Sequence, residues 1–311
     1  MKRKIINLLV VSMCSLVLVE ILFNKTLVFD TISYSLKIWI SSIFPSLFPF
    51  FIISDLLIKY NVTNYIPKGI KSIFRRFFKV SDNVVTIFFL SMISGFPSNA
   101  RNTKMMYDMG RISLAEANHA LIFTHFSNPL FILGTVAVFF LHNEAYGYII
   151  LTSHYLANVI LGILFKKYNH DTDDKQINVC LEDVSFAKAF ASAIKRATDT
   201  LLMILGTLTC FLVLSSIIIN RFDLNSYNAM ILKGILEITM GIREVANLHI
   251  GDIYKVVLSS MFISFGGLSV HMQVLSFLVD SDISYKYFFI ARIFHCIIAG
   301  FISYLLFIFI V

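Results

Sequence analysis

Seven stretches of this chain are apolar for about twenty residues or more, the length that crosses a bilayer core as a helix. They run near Ile5–Phe29, Leu36–Ile58, Leu121–Leu141, Tyr146–Phe165, Leu201–Ile219, Ile253–Val279 and Tyr285–Val311. Two further apolar pieces, Val84–Ile93 and Ala229–Met240, are too short to cross, and each leads into glycine and polar residues. In lipid every backbone polar group needs an internal partner, so a chain with this pattern is confined to helices. The expected fold is an all-α polytopic membrane protein, with seven full spans and two re-entrant half-spans.

Composition agrees. The 311 residues are 57% hydrophobic and only 14% charged, where a soluble domain carries about a quarter charged residues. The formal charge of +7 fits the lysine and arginine bias of cytoplasmic loops, and no nucleic-acid partner is expected. The four cysteines are scattered without a C-x-x-C pair, and no His/Cys cluster or H-E-x-x-H helix occurs, so no metal or cofactor is expected. Without a nucleophile elbow, a phosphate loop or paired carboxylates in a soluble domain, an enzyme is not expected either.

Charge sets the expected orientation. Lys2, Arg3 and Lys4 precede an apolar run with no cleavage pattern, so Ile5 onward reads as an uncleaved first span with a cytoplasmic N-terminus. Lys59 to Lys79 supply six basic residues two spans later, and Lys166 and Lys167 follow the fourth span. Both loops fall on the cytoplasmic side only if Val84–Ile93 turns back. The Ser94-Gly95-Phe96-Pro97-Ser98-Asn99-Ala100-Arg101 stretch after it is then a re-entrant tip. Ser113-Leu114-Ala115-Glu116 has the form of a capping box for the next helix.

The acidic stretch His170–Val184 reads as a connector between halves that resemble each other. Each half has a short apolar piece ending in glycine (Gly95, Gly241) and a basic residue soon after (Arg101, Arg243). A span interrupted by polar or small residues follows, Ser127-Asn128-Pro129 in one half and Gly266-Gly267 in the other. The expected organisation is an N-terminal span over 1–30, a first repeat over 31–168, a linker over 169–197 and a second repeat over 198–311. The charge assignment makes the repeats inverted, an arrangement in which broken helices meet near the midplane around a transported solute.

The candidate binding residues are Gly95, Pro97, Asn99 and Arg101 at one tip, Thr239, Gly241 and Arg243 at the other, and Asn128 between them. Arg101 and Arg243, each near a restarting helix, suit a small organic anion; alternatively Arg101 is a loop charge and Arg243 pairs with Glu237 or Glu244. Glu237 is either a proton or sodium coupling group or a structural partner of Arg243, since intramembrane carboxylates are costly. His125 and His154 are candidate proton carriers, each against the alternative of a satisfied interhelical hydrogen bond. Asp55 and Lys233 lie near span ends, where snorkelling accounts for them.

Several of these runs resemble the sporulation integral membrane protein YlbJ family. They are Ser94-Gly95-Phe96-Pro97 with the polar helix to Gly110, Asn128-Pro129-Leu130-Phe131-Ile132-Leu133-Gly134-Thr135, Ser153-His154-Tyr155-Leu156, and Glu237-Ile238-Thr239-Met240-Gly241. That family carries nucleoside-recognition gate domains related to part of the concentrative nucleoside transporters. The resemblance implies a multi-pass protein of a bacterial cell or forespore membrane, and transport of dipicolinate, a small aromatic dicarboxylate, during spore formation. The expected partners are such an anion, the bilayer, and further copies of the chain or other sporulation membrane proteins. A nucleoside or cation-coupled symporter and a non-transporting scaffold for spore assembly are the alternatives. Ser98-Asn99 after the tip proline, and the lack of an Asn-Pro pair in the second half, depart from the family pattern.

Overall fold

Among residues 2–166 and 185–311, which the computed structural model describes, every regular element is a helix. The connector His170–Val184, expected as a solvated linker, lies outside the described residues.

Helix α1 (Lys2–Phe23) stops at Asn24, so the run expected as Ile5–Phe29 divides there. The Asn24 side-chain amide donates to the Glu20 carboxylate at 2.7 Å. Helix α2 (Lys25–Ile38) then passes through a π-helical turn, Trp39–Ile43, into α3 (Phe44–Lys59). Pro45 follows directly on that π-helical turn, and Pro49 lies inside α3. The result is one apolar helix over Lys25–Lys59.

Helix α4 (Lys68–Phe78) meets α5 (Asp82–Ser94) at 97°. At 1.5 Å per residue α5 is about 20 Å long, short of a hydrocarbon core of about 30 Å. The chain turns at Gly95-Phe96-Pro97 and α6 (Ser98–Asp108) packs against α5 as a helical hairpin. Gly110, at φ +65°, ends that hairpin, with the Arg111 N–H reaching back to the Met106 carbonyl at 2.9 Å. Helix α7 (Leu114–Phe123) opens on the capping box, and Glu116 also accepts from the Ser81 N–H, tying the starts of α5 and α7 together.

The stretch expected as one span, Leu121–Leu141, is two pieces. Thr124–Asn128 leaves the helix, and a π-helical segment, Phe131–Phe140, carries the chain onward. Pro129 cannot donate to the preceding turn and disfavours helical backbone at Asn128, so the break falls just before it. Helix α8 (Glu144–Leu164) closes the first half.

In the second half come α9 (Phe186–Phe222), α10 (Ser226–Leu236), α11 (Ile238–Asn247), α12 (Asp252–Phe265), α13 (Gly267–Leu278) and α14 (Tyr285–Ile310). The second turn therefore stands at Glu237, four residues before the glycine that was expected to mark it. Gly241 lies inside α11 and lets α11 pack on α10; a Cβ there would sit 2.2 Å from the Gly234 Cα. Among the described residues five helices are long and apolar enough to cross a membrane, or six if α4 and α5 count as one bent span, against the seven expected.

Contacts between helix ends sort the bundle. Lys59 at the end of α3 reaches the Ala189 carbonyl near the start of α9, and the Ser284 N–H beside α14 donates to Asn118 of α7 at 2.7 Å. At the other end Tyr146 of α8 donates to Asp252 of α12 at 2.8 Å. The α5–α6 hairpin opens toward the first end and the α10–α11 hairpin toward the second.

Candidate functional site

Each break in the helices exposes backbone groups, and the structure accounts for them one by one. In the first half the Asn128 side-chain amide donates to the Ile93 and Ser94 carbonyls at the end of α5, at 3.3 and 3.4 Å. Its oxygen accepts from the Leu130 N–H at 2.8 Å. Asn128 therefore ties the first tip to the restarting π-helical segment. Asn128→Ala is expected to lower unfolding stability in detergent by about 1–2 kcal/mol, because these backbone groups lose their partner; parent-like melting would show that they find another.

Helix α8 holds the rest of the unwound stretch. His154 Nε2 accepts the Ser127 N–H at 2.9 Å, and Asn158 donates to the His125 carbonyl at 2.8 Å. The Tyr155 hydroxyl donates to the Met92 carbonyl at 2.7 Å. Because Nε2 of His154 is an acceptor here, its proton sits on Nδ1, 2.9 Å from the Ser264 hydroxyl. A proton relay through His154 would have to release Ser127 first, so its geometry is that of a positioning group.

Behind His154 lies Arg292 of α14, fully buried, with no carboxylate partner among the described residues. Its guanidinium donates to the Ile122 carbonyl near the end of α7 and to His295 Nδ1, the latter at 2.6 Å. A cation at a helix C-terminus is favourably placed, and this one fixes the helix end that leads into the break. His295 in turn donates from Nε2 to the His154 carbonyl at 2.9 Å.

In the second half the extended backbone of Glu237 (φ −146°, ψ 120°) joins α10 to α11, and its carboxylate accepts the Met240 N–H at 2.9 Å. This is an N-cap contact at the start of α11. Gly266 and Gly267, both at positive φ, separate α12 from α13, and a Cβ on Gly267 would stand 3.2 Å from the Ile238 nitrogen. The glycine pair thus lets the second tip approach the second break.

Both tips, the first break and the first turns of α13 border one cavity of about 90 Å³. Phe96 comes from the first tip, Ser127 and Asn128 from the first break, Glu237 and Thr239 from the second tip, and Ser269 and Gln273 from α13. Ser46 and Leu47 of α3 with Ile204 and Leu208 of α9 close the side. The starts of α11 and α13 face this space, so the helix N-termini bring positive potential to a wall whose one formal charge is Glu237.

Of the residues singled out in the sequence, Asn128, Glu237 and Thr239 line the cavity. Gly95 backs directly onto Asn128. Pro97 begins α6, and Asn99 is buried behind the tip with its carboxamide oxygen 3.3 Å from His125 Nδ1. The His125 ring stacks on Phe96 at 5.0 Å, one layer back from the cavity.

The arginines are placed differently from expectation. Arg101 is buried and bound to Asp55 at 2.6 Å, and Arg243 is exposed, with its guanidinium 5.3 Å from the Tyr34 ring. Neither borders the cavity, so the charge that each offered an anion is spent elsewhere in the structure. Glu244 pairs with Lys233 at 2.7 Å, which replaces the snorkelling expected of that lysine. Asp55 also needs correction: it is fully buried, with Arg196 of α9 at 2.7 Å on its second oxygen. Its position in an apolar run was the available signal. Arg292 carried the same signal in the last span, whereas Ser46 and Gln273 carried none.

Comparison with known proteins supplies the rest. Residues 40–169 match the family model Gate, described as nucleoside recognition. The chain is 28% identical over 326 residues to the sporulation integral membrane protein YlbJ of Bacillus subtilis (strain 168), across 93% of this chain and 80% of that protein. No solved structure matches it. This is therefore a multi-pass integral membrane protein whose residues 40–169 match the Gate model and which is similar to YlbJ over most of its length.

Proposed function

We propose that the chain is a transporter or facilitator for a small organic anion, built as two inverted repeats whose broken helices enclose the solute, and that dipicolinate moved across a forespore membrane is its substrate. The observation that carries this reading is the convergence of two hairpin tips, the first helix break and the start of α13 on one cavity. Recognition falls to the helix N-termini and to the hydroxyl and amide groups of Ser127, Asn128, Thr239, Ser269 and Gln273, with the Phe96 ring suited to a flat aromatic solute.

Glu237 gives the reading a coupling step. An ionised carboxylate beside a bound dicarboxylate is repulsive, and at an effective dielectric of about 20 two charges 4 Å apart interact by about 4 kcal/mol. Protonation of Glu237 removes that repulsion and frees the start of α11 for the solute. An anion would then enter with a proton, whichever way the gradient drives it.

The test is uptake of labelled dipicolinate by proteoliposomes with and without a pH gradient. The parent is expected to take it up faster under an inward proton gradient, and Glu237→Gln to keep uptake while losing the gradient dependence. Uptake by both proteins with the same gradient dependence would remove Glu237 from coupling. The Gate match favours one second reading, a nucleoside substrate. Uridine uptake without dipicolinate uptake would select it, and uptake of neither would leave the scaffold role.

A further inference from the structure

Helix α4 stands apart from the solute path and carries a different chemistry. Along it Ile70, Phe74 and Phe78 face the bundle, where Phe78 stacks on Phe123 at 5.0 Å and Phe74 meets Phe88 at 5.0 Å. The helix is thereby fixed at 97° to α5, so if α5 runs into the bilayer, α4 lies along its surface. Its outward side has two parts. Ile73 and Phe77, one turn apart, are 53% and 49% exposed and form an apolar edge, with Tyr65 just before the helix 83% exposed.

Beside that edge runs a basic face of Lys68, Arg75, Arg76 and Lys79, all exposed. Asp82 engages Arg75 through paired contacts at 2.8 and 2.9 Å and lies 3.6 Å from Lys71. Among the described residues Lys68 and Arg76 have no ion-pair partner. A helix with a basic face, an apolar edge and a fixed tilt across the bundle matches the interface of a membrane with anionic headgroups.

We propose that α4 is a binding surface for anionic phospholipid, with the headgroup phosphate held by Lys68 and Arg76 and the acyl chain beginning against Ile73 and Phe77. An acidic protein would satisfy the charges but leave the apolar edge in water. A neutral lipid would cover the edge but leave the charges without counterions. Anionic phospholipid meets both.

The experiment uses the purified full chain in mild detergent, titrated with phosphatidylglycerol or phosphatidylcholine and read by lipid retention in native mass spectrometry and by melting temperature. Phosphatidylglycerol is expected to be retained preferentially, less so at high salt. The Lys68→Gln/Arg76→Gln variant is expected to bind it about tenfold more weakly, and Ile73→Ser/Phe77→Ser to lose affinity for both lipids. Lys25→Gln, an exposed charge at the far end of the bundle, should match the parent. The melting temperature of each variant in phosphatidylcholine checks that it is folded. Equal retention of the two lipids by the parent, or unchanged phosphatidylglycerol binding by the folded glutamine variant, would overturn the proposal.

Discussion

Replacing Asp55 by alanine is expected to destabilise the protein by about 3–5 kcal/mol, the typical cost of leaving one member of a buried ion pair without its partner. Asp55 binds Arg101 of α6 through one oxygen and Arg196 of α9 through the other, at 2.6 and 2.7 Å. Arg101 is nearly sealed and rests on the Phe51 ring at 5.2 Å, so it cannot turn to water when the carboxylate is removed. Arg196 is partly exposed and can, so its own contribution should be near the 0–1 kcal/mol of a surface pair. Unfolding of the parent, Asp55→Ala, Arg101→Met and the double variant in detergent measures the coupling. The double variant should recover most of the loss, and a coupling below about 1 kcal/mol would refute the pairing as a structural clamp. The same cycle bears on function. Lost uptake after Arg101→Ala alone reports release of the hairpin from α3 and α9, not removal of a solute contact.

Asp55 also shows where reading the sequence runs out. An apolar run with an acidic residue near its end looks like a span reaching water, and snorkelling is then the ordinary explanation. Here the end of α3 is covered by α6 and α9, and its charge partners lie 46 and 141 residues away along the chain. No local pattern encodes that. The breaks were legible for the opposite reason. Gly95, Asn128-Pro129 and Gly266-Gly267 each interrupt an apolar run in a way that a lipid-embedded helix cannot absorb unaided. The capping box at Ser113–Glu116 and the glycine stop at Gly110 were legible because both act within a few residues. The second tip fell between these cases. Gly241 looked like a helix stop, yet its role is a close helix–helix approach, while the turn is made by the extended backbone of Glu237, which the residue type does not announce. In the cavity, Asn128 and Glu237 were found because a polar group at membrane depth draws notice. Ser46 and Gln273 were not, since each lies in a helix that otherwise reads as ordinary span.

Gly95→Ala is the substitution expected to abolish transport most completely while leaving a foldable chain. Gly95 holds φ +77° and ψ 176°, a region of backbone space that is essentially restricted to glycine, and occupying it with a side chain costs on the order of 1–3 kcal/mol. Space is the second obstacle. A Cβ would lie 2.5 Å from the Asn128 nitrogen and 2.9 Å from its Cα, so the first tip and the first break would have to part. They cannot part freely, because Asn128 bonds the end of α5 and His154 holds the neighbouring Ser127 N–H. Separation therefore displaces Phe96 and Asn128, two walls of the cavity, together. The matched control is Gly134→Ala, where nothing lies within 4 Å of the added carbon and a helical alanine is if anything the better residue. Uptake normalised to folded protein, measured by size-exclusion chromatography, should fall to background for Gly95→Ala and stay at the parent level for Gly134→Ala. Parent-level uptake by a folded Gly95→Ala protein would mean that the solute does not pass between this tip and this break, and the cavity would lose its claim to be the transport site.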